Sequence, residues 1–174
     1  NGIDLYNVNL YIGGCSLETH HRLMNGEEAH YDNEIKAVPT GKISLKEALQ
    51  NEKWDIITFQ QQSGASGRAE TYQPYLSELS NFVRAYQPTT KFYMHQTWAY
   101  EDGSDRLKNV AGYESAEEMF ADIQKAYAKV EEVIKVDGMI RSGEVMQKAL
   151  SLGIGKIHQD TLHASLGAGR YLLA

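Results

Sequence analysis

The sequence predicts an α/β domain of three layers, flavodoxin-like, with a mostly parallel sheet. Three observations predict it. Strand-like runs at 5–12, 54–59 and 91–96 alternate with amphipathic helical stretches, the order from which parallel sheets are built. The run Trp54–Phe59 is almost continuously apolar, as expected of a strand covered on both faces. The chain has 174 residues, 42% of them hydrophobic and 23% charged, enough for one domain with a real core and too few for two. One domain over 1–174 follows, without repeats or a low-complexity linker.

The elements follow in order. Leu5–Ile12, rich in Tyr, Val, Leu and Ile, reads as a strand ending at Gly13-Gly14. Cys15 to His20 then opens a short helix to about Met24. Gly26–Val38 reads as a small polar hairpin with its turn near Asp32-Asn33, and Pro39 and Gly41 break the chain. Ser44-Leu45-Lys46-Glu47 has capping-box form, so a short helix runs from Leu45 to about Asn51. Tyr72–Tyr86 places Tyr75, Leu76, Leu79, Phe82 and Val83 at helical spacing. Lys91–Gln96 is the next strand, and Glu101–Asn109 a charged loop. Ser115 with Glu118 starts the longest helix, to about Val136, with Phe120, Ile123, Ala126, Val130 and Val133 on one face. A short strand at Met139-Ile140 and a helix over Gly143–Leu152 complete the alternation. Leu166, Tyr171 and Leu172 are spaced for a last buried helix face. The chain starts in a turn and stops inside a helical pattern, so both ends read as cut and a targeting segment could lie beyond them.

Charge and composition exclude several classes. A formal charge of -6 without a Lys/Arg cluster argues against nucleic acid as a partner. No apolar run reaches membrane-spanning length. Cys15 is the single cysteine, which rules out an internal disulfide.

Four places carry side chains suited to chemistry. Asp160-Thr161-Leu162-His163 sets a carboxylate three residues before an imidazole; the acid can hold one ring nitrogen and raise the basicity of the other. The same spacing is also that of an ordinary turn with a capping Asp. Gly13-Gly14 at a strand end frees backbone amides that can form an oxyanion site, or simply turns the chain. Gln60, Gln61 and Gln62 place amides at the carboxyl end of the second apolar strand, where they can meet ligand or satisfy loop backbone. Trp98 and Tyr100, just past the third strand, can form a platform for a sugar ring or belong to the core. His95 and His20, near strand ends, could line the same cleft. With His21, His30 and His158 they show no His-x-x-x-His or His-x-His spacing, so no metal site is predicted.

Five blocks together carry a resemblance: Leu10–His20 around Gly13-Gly14-Cys15-Ser16-Leu17, Glu52–Gln61, Thr71–Leu76, Thr97–Tyr100, and Asp160–His163 with Leu166, Gly169, Arg170 and Tyr171. In this order and over almost the whole chain they resemble a branch of the SGNH (GDSL-like) hydrolases catalogued as a domain of unknown function. The resemblance implies a flavodoxin-like sheet with its site at the carboxyl ends of the strands. It also implies a Ser-His-Asp esterase that needs neither metal nor cofactor. His163 would be the general base, Asp160 its orienting carboxylate and Gly14 the oxyanion glycine. The side-chain oxyanion donor, normally Asn, would be Gln61, with Gln60, His95, Trp98 and Tyr100 contacting substrate.

The nucleophile departs from the pattern. This branch carries its serine on a strand upstream of the glycine block, and only four residues precede Leu5, so the first strand and the serine are expected outside the numbered chain. A competing alignment reads Gly14-Cys15-Ser16-Leu17 as Gly-Asp-Ser-Leu and makes Ser16 the nucleophile. The first alignment predicts a gap between Leu5–Ile12 and Trp54–Phe59 or a strand borrowed from elsewhere; if instead the two runs lie directly against each other, Ser16 gains. Cys15 has no dedicated cationic neighbour in sequence to lower its pKa.

The expected function is hydrolysis of an O-acyl ester, an acetyl ester on carbohydrate among them, outside the cytoplasm by analogy with the family. The partners expected are a small-molecule or glycan ester, with no nucleic acid and no membrane span. An inactive α/β module binding glycan through Trp98 and Tyr100 is the alternative.

Overall fold

The computed structural model describes Gly2 and residues 4–173. Strand β1 (Val8–Tyr11) ends in the Gly13-Gly14 turn, where Gly14 takes φ +66°. Ser16 then caps α1 (Leu17–Leu23), its Oγ accepting the Thr19 N–H at 3.2 Å. The hairpin is β2 (Tyr31–Ile35) and β3 (Val38–Ile43), and its turn is Lys36-Ala37, not Asp32-Asn33. Both turn residues have positive φ, 49° and 64°, the left-handed pair of a tight hairpin turn usually filled by Asn-Gly. Lys-Ala gives no such signal, which is why the hairpin is misplaced in the sequence reading.

Helix α2 (Leu45–Asn51) lies where the capping box puts it, with Ser44 Oγ accepting the Glu47 N–H at 3.1 Å. Strand β4 (Ile56–Phe59) leads through short turns at Ser63–Ala65 and Ala69–Thr71 into α3 (Tyr75–Tyr86). Then come β5 (Lys91–His95), a wide helical turn at Leu107–Ala111, α4 (Ala116–Val133), β6 (Gly138–Ile140), α5 (Ser142–Ser151) and α6 (Ala168–Leu173). The turn at Leu107–Ala111 falls in the stretch read as a charged loop, and it buries Leu107 and Ala111. Helix α4 stops at Val133, which is 48% exposed, because Ile134 turns extended and points inward instead.

The chain is an α/β protein with a parallel sheet, but its strands form two sheets. In β4-β5-β6 all pairs are parallel, Ile57 opposite Phe92 and Met94 opposite Met139. In β1-β2-β3 all pairs are antiparallel, Val8 opposite Ile35 and Tyr31 opposite Ile43. The expected mostly parallel sheet is therefore corrected to a parallel and an antiparallel half, because β1 takes the adjacent hairpin as its partner, while β1 and β4 stay unpaired with each other, as expected with the first strand outside the chain. The two sheets are tied at both ends of β1 and β4. Tyr6 stacks on Trp54 before the strands, with ring centroids 5.9 Å apart and planes 5° from parallel. After them, the Leu17 N–H donates to Gln61 Oε1 at 3.0 Å. β1 and β4 thus run in the same direction, and among the described residues no strand pairs with either facing edge. β4 is correspondingly not covered on both faces, and its Ile56 is 54% exposed.

The core lies between the parallel sheet and its helices. Leu76, Leu79 and Val83 of α3 and Phe120, Ile123, Ala126 and Val130 of α4 are buried as their spacing predicts, with Met119 and Tyr127 buried beside them. Each large apolar side chain so buried stabilises the fold by on the order of 2 kcal/mol. Phe59 meets Phe92 edge-on at 5.1 Å, and Tyr72 meets Tyr127 edge-on at 5.7 Å. No helix among the described residues is long and apolar enough to cross a membrane.

Candidate functional site

Hydrogen bonds join the loops at the carboxyl end of the parallel sheet in a series. The α1 N-terminus is tied to the loop after β4 through Leu17 and Gln61. That loop is tied to the segment after β5 by Ser63 Oγ and Tyr100 Oη, 3.0 Å apart. The segment after β5 holds the Asp160–His163 loop three times: Trp98 Nε1 donates to Leu162 O at 2.8 Å, Glu101 N–H to Thr161 O at 2.8 Å, and His158 Nε2 to Ala99 O at 3.0 Å. Each sequence-predicted residue falls on one of these four loops or on the end of β5.

Within the last loop, Asp160 Oδ2 lies 2.8 Å from His163 Nδ1. Its Oδ1 accepts the His163 backbone N–H at 2.8 Å and the Leu162 N–H at 3.3 Å. The hydrogen bond from the His163 ring, with those from the two backbone amides, holds the Asp160 carboxyl well below the ordinary carboxylate range. An ionised Asp160 can only accept, so Nδ1 carries the proton and Nε2 offers its lone pair. His163 Nε2 has no partner among the described residues, and the side chain is 67% exposed. The pair is thus an oriented base open to solvent. Thr161, between them, takes φ +70°, a conformation that costs a β-branched residue about 1–2 kcal/mol. The carbonyls of Thr161 and Leu162, held by Glu101 and Trp98, offset that at about 1 kcal/mol each.

Gly14 is exposed, and its N–H has no acceptor among the described residues. Ser16 is half-buried, and its hydroxyl is engaged in the α1 cap and lies 3.1 Å from Thr19 Oγ1. It makes no hydrogen bond with His163, and β1 does not pair with β4, so the condition that favours Ser16 as nucleophile is not met. Burial pushes the Cys15 thiol up to about 11 against the pull of Arg22, which keeps it protonated at neutral pH.

Gln61 departs from expectation. It is 1% exposed, and every atom of its amide is committed: Oε1 accepts from Leu17 and Gln62 N–H, and Nε2 donates to Thr71 O and Oγ1 at 3.1 and 3.0 Å. It is a staple for three loops and has no N–H left for an oxyanion. Gln60, the first residue past β4, is exposed, and no hydrogen bond holds its amide among the described residues. Tyr100 is likewise corrected: at 2% exposure it lies in the core and cannot be a sugar platform. Trp98 is half-buried with its indole N–H spent on Leu162. His95 Nε2 lies 2.8 Å from Ser142 Oγ, and burial lowers the pKa of its imidazole, so it braces the start of α5 as a neutral ring. The sequence reading missed the structural parts of Gln61 and His158. Both are polar side chains 4% exposed or less, and only their three-dimensional partners reveal them. Among the described residues no group of three or more His, Cys, Asp or Glu side chains is placed to hold a metal ion.

Fold and site together define an α/β protein with an oriented Asp–His pair among the loops at the carboxyl end of a parallel sheet. The chain belongs to the DUF4886 family, a domain of unknown function, whose family match spans residues 1–174. It is similar to a DUF4886 family protein from Bacteroides uniformis ATCC 8492 known from its crystal structure, with 31% identity and a TM-score of 0.82. That match covers 94% of this chain and 66% of the other, so this chain spans slightly less than two thirds of that protein. A second structure, from Parabacteroides merdae ATCC 43184, is described as a "putative GDSL-like lipase". It matches with 20% identity and a TM-score of 0.46, over 60% of this chain and 45% of that one. No curated protein matches the chain.

Proposed function

We propose that the protein is a serine esterase of SGNH type, with a three-layer flavodoxin-like domain, that hydrolyses an O-acyl ester. The observation that carries the reading is the Asp160–His163 pair, whose Nε2 has no partner among the described residues while Nδ1 is fixed by the carboxylate. In this reading a serine outside residues 1–174 lies on a strand that enters between the facing edges of β1 and β4. Its Oγ adds to the ester carbonyl as His163 Nε2 takes the hydroxyl proton. Collapse of the tetrahedral intermediate expels the alcohol, which receives that proton, and water then cleaves the acyl-serine by the same route. The Gly14 N–H and the amide of Gln60, which replaces Gln61 in this role, donate to the oxyanion. Each such donor contributes on the order of 3 kcal/mol to lowering the barrier.

An acetyl ester on a carbohydrate is the substrate expected from the SGNH resemblance, as is an extracytoplasmic setting. The inactive glycan-binding alternative loses support, because the aromatic face it needs is largely withdrawn into the core at Tyr100. The test is labelling of the full-length protein with a fluorophosphonate probe. Labelling that vanishes in His163→Ala supports the esterase; absence of labelling in the parent protein removes it.

A further inference from the structure

Resting on the esterase reading, we propose that Trp98 and His158 are positioning residues that hold His163 in working geometry, Trp98 acting through its indole N–H and not as a surface for substrate. The Asp160–His163 contact is made within one turn of chain, and that turn has an unfavourable residue at its centre. Thr161 sits at φ +70°, so the loop is not one that its own local preferences would select. What selects it is the segment after β5. The indole N–H of Trp98 and the amide of Glu101 hold the two consecutive carbonyls of Leu162 and Thr161, each at 2.8 Å.

The base of the loop is fixed separately. His158 pairs with Ala164 across it, Gln159 N–H donates to His163 O at 2.7 Å, and Ser165 N–H donates to Ile157 O at 2.7 Å. The His158 ring, 4% exposed, reaches Ala99 O, which can only accept, so Nε2 there carries the proton. Top and base of the loop are therefore both anchored to the four residues Trp98–Glu101. A base misplaced by about 1 Å loses on the order of a hundredfold in rate, so an anchor of this kind acts on turnover and not on substrate affinity.

Trp98→Phe separates the two roles of the ring, since it keeps an aromatic face and removes the donor. In the full-length protein acting on p-nitrophenyl acetate, kcat should fall about 10- to 100-fold with KM within about twofold. Amide exchange at His163 should quicken by at least about tenfold while the amides of α4 exchange as before. His158→Gln, which retains a donor for Ala99, should keep most of the turnover that His158→Leu loses. A raised KM with kcat unchanged would overturn the inference and return Trp98 to the substrate. Unchanged exchange at His163 in a folded Trp98→Phe protein would overturn it while leaving the esterase intact. If the parent protein shows neither turnover nor labelling, the esterase reading fails and the positioning role falls with it.

Discussion

Asp160 grips His163 twice, by the ring and by the backbone: Oδ2 meets Nδ1 at 2.8 Å and Oδ1 accepts the amide N–H of the same residue at 2.8 Å. One carboxylate thereby sets both the tautomer of the imidazole and the direction in which it leaves the chain. Asp160→Asn can present its own N–H to Nδ1 and move the proton to Nε2. The expected result is a kcat lower by about 10² to 10⁴-fold with the fold retained, read from ester turnover of the full-length protein. The folded-state pKa of Asp160 is depressed, so its contribution to stability is present above about pH 4 and is lost as the pH falls below that. The stability difference between parent and Asp160→Asn should be constant above about pH 4 and shrink in stronger acid.

A second acid dependence arises at His20, whose ring stacks on Tyr31 and whose Nδ1 lies 3.0 Å from the Tyr31 hydroxyl. Burial lowers its pKa from 6.5 to about 4. The unfolded chain takes up a proton below pH 6.5 that the folded protein refuses until about pH 4. Stability is therefore full above about 6.5 and declines on acidification to about 4, by on the order of 3 kcal/mol. Denaturant unfolding between these limits should show the slope in the parent and a flatter profile in His20→Gln.

The hairpin turn is the clearest place to gain stability. Lys36 and Ala37 both sit at positive φ, where Asn-Gly is at ease. Replacing the pair by Asn-Gly should raise stability by about 1 kcal/mol with the β2–β3 register unchanged, as followed by thermal unfolding. The exposed Lys36–Asp4 ion pair, lost in the exchange, contributes little to set against that.

Gly169 lies beneath the His163 loop, and its N–H donates to Ser165 Oγ at 3.0 Å. A methyl group there would overlap the carbonyl oxygen of Ile157 and stand 2.9 Å from the carbonyl carbon of Ala164. Gly169→Ala should cost about 1–3 kcal/mol in thermal unfolding, because backbone atoms and not a flexible side chain receive the new carbon. Amide exchange at Ser165 should rise with it, since α6 and the loop must part to make room.

Much of the fold was legible in the chain because local chemistry and tertiary structure agree. Ser44, Ser115 and Ser16 cap the helices they precede, and the stripe on α4 from Phe120 to Val130 faces inward as its spacing requires. Legibility failed where a partner far along the chain decides. The aromatic residues after β5 look alike in sequence, yet Tyr100 is drawn into the core by Ser63 and Met119 while Trp98 turns to Leu162. Of the glutamine run, Gln61 alone lies within reach of both Leu17 and Thr71 and is consumed by them. Asp160 and His163 could be paired in advance because they stand at i and i+3, while the contacts from Trp98 and Glu101 that hold the loop in that shape leave no sign in the local sequence.

The facing margins of β1 and β4 have a practical consequence for handling residues 1–174 by themselves. Among the described residues both present open main-chain donors and acceptors, beside Tyr11 at 48% and Ile56 at 54% exposure, with Leu5 and Tyr6 close by. Such borders invite copies to zip together into concentration-dependent assemblies. Light scattering should rise with protein concentration, and a charged residue at Ile56 should suppress it.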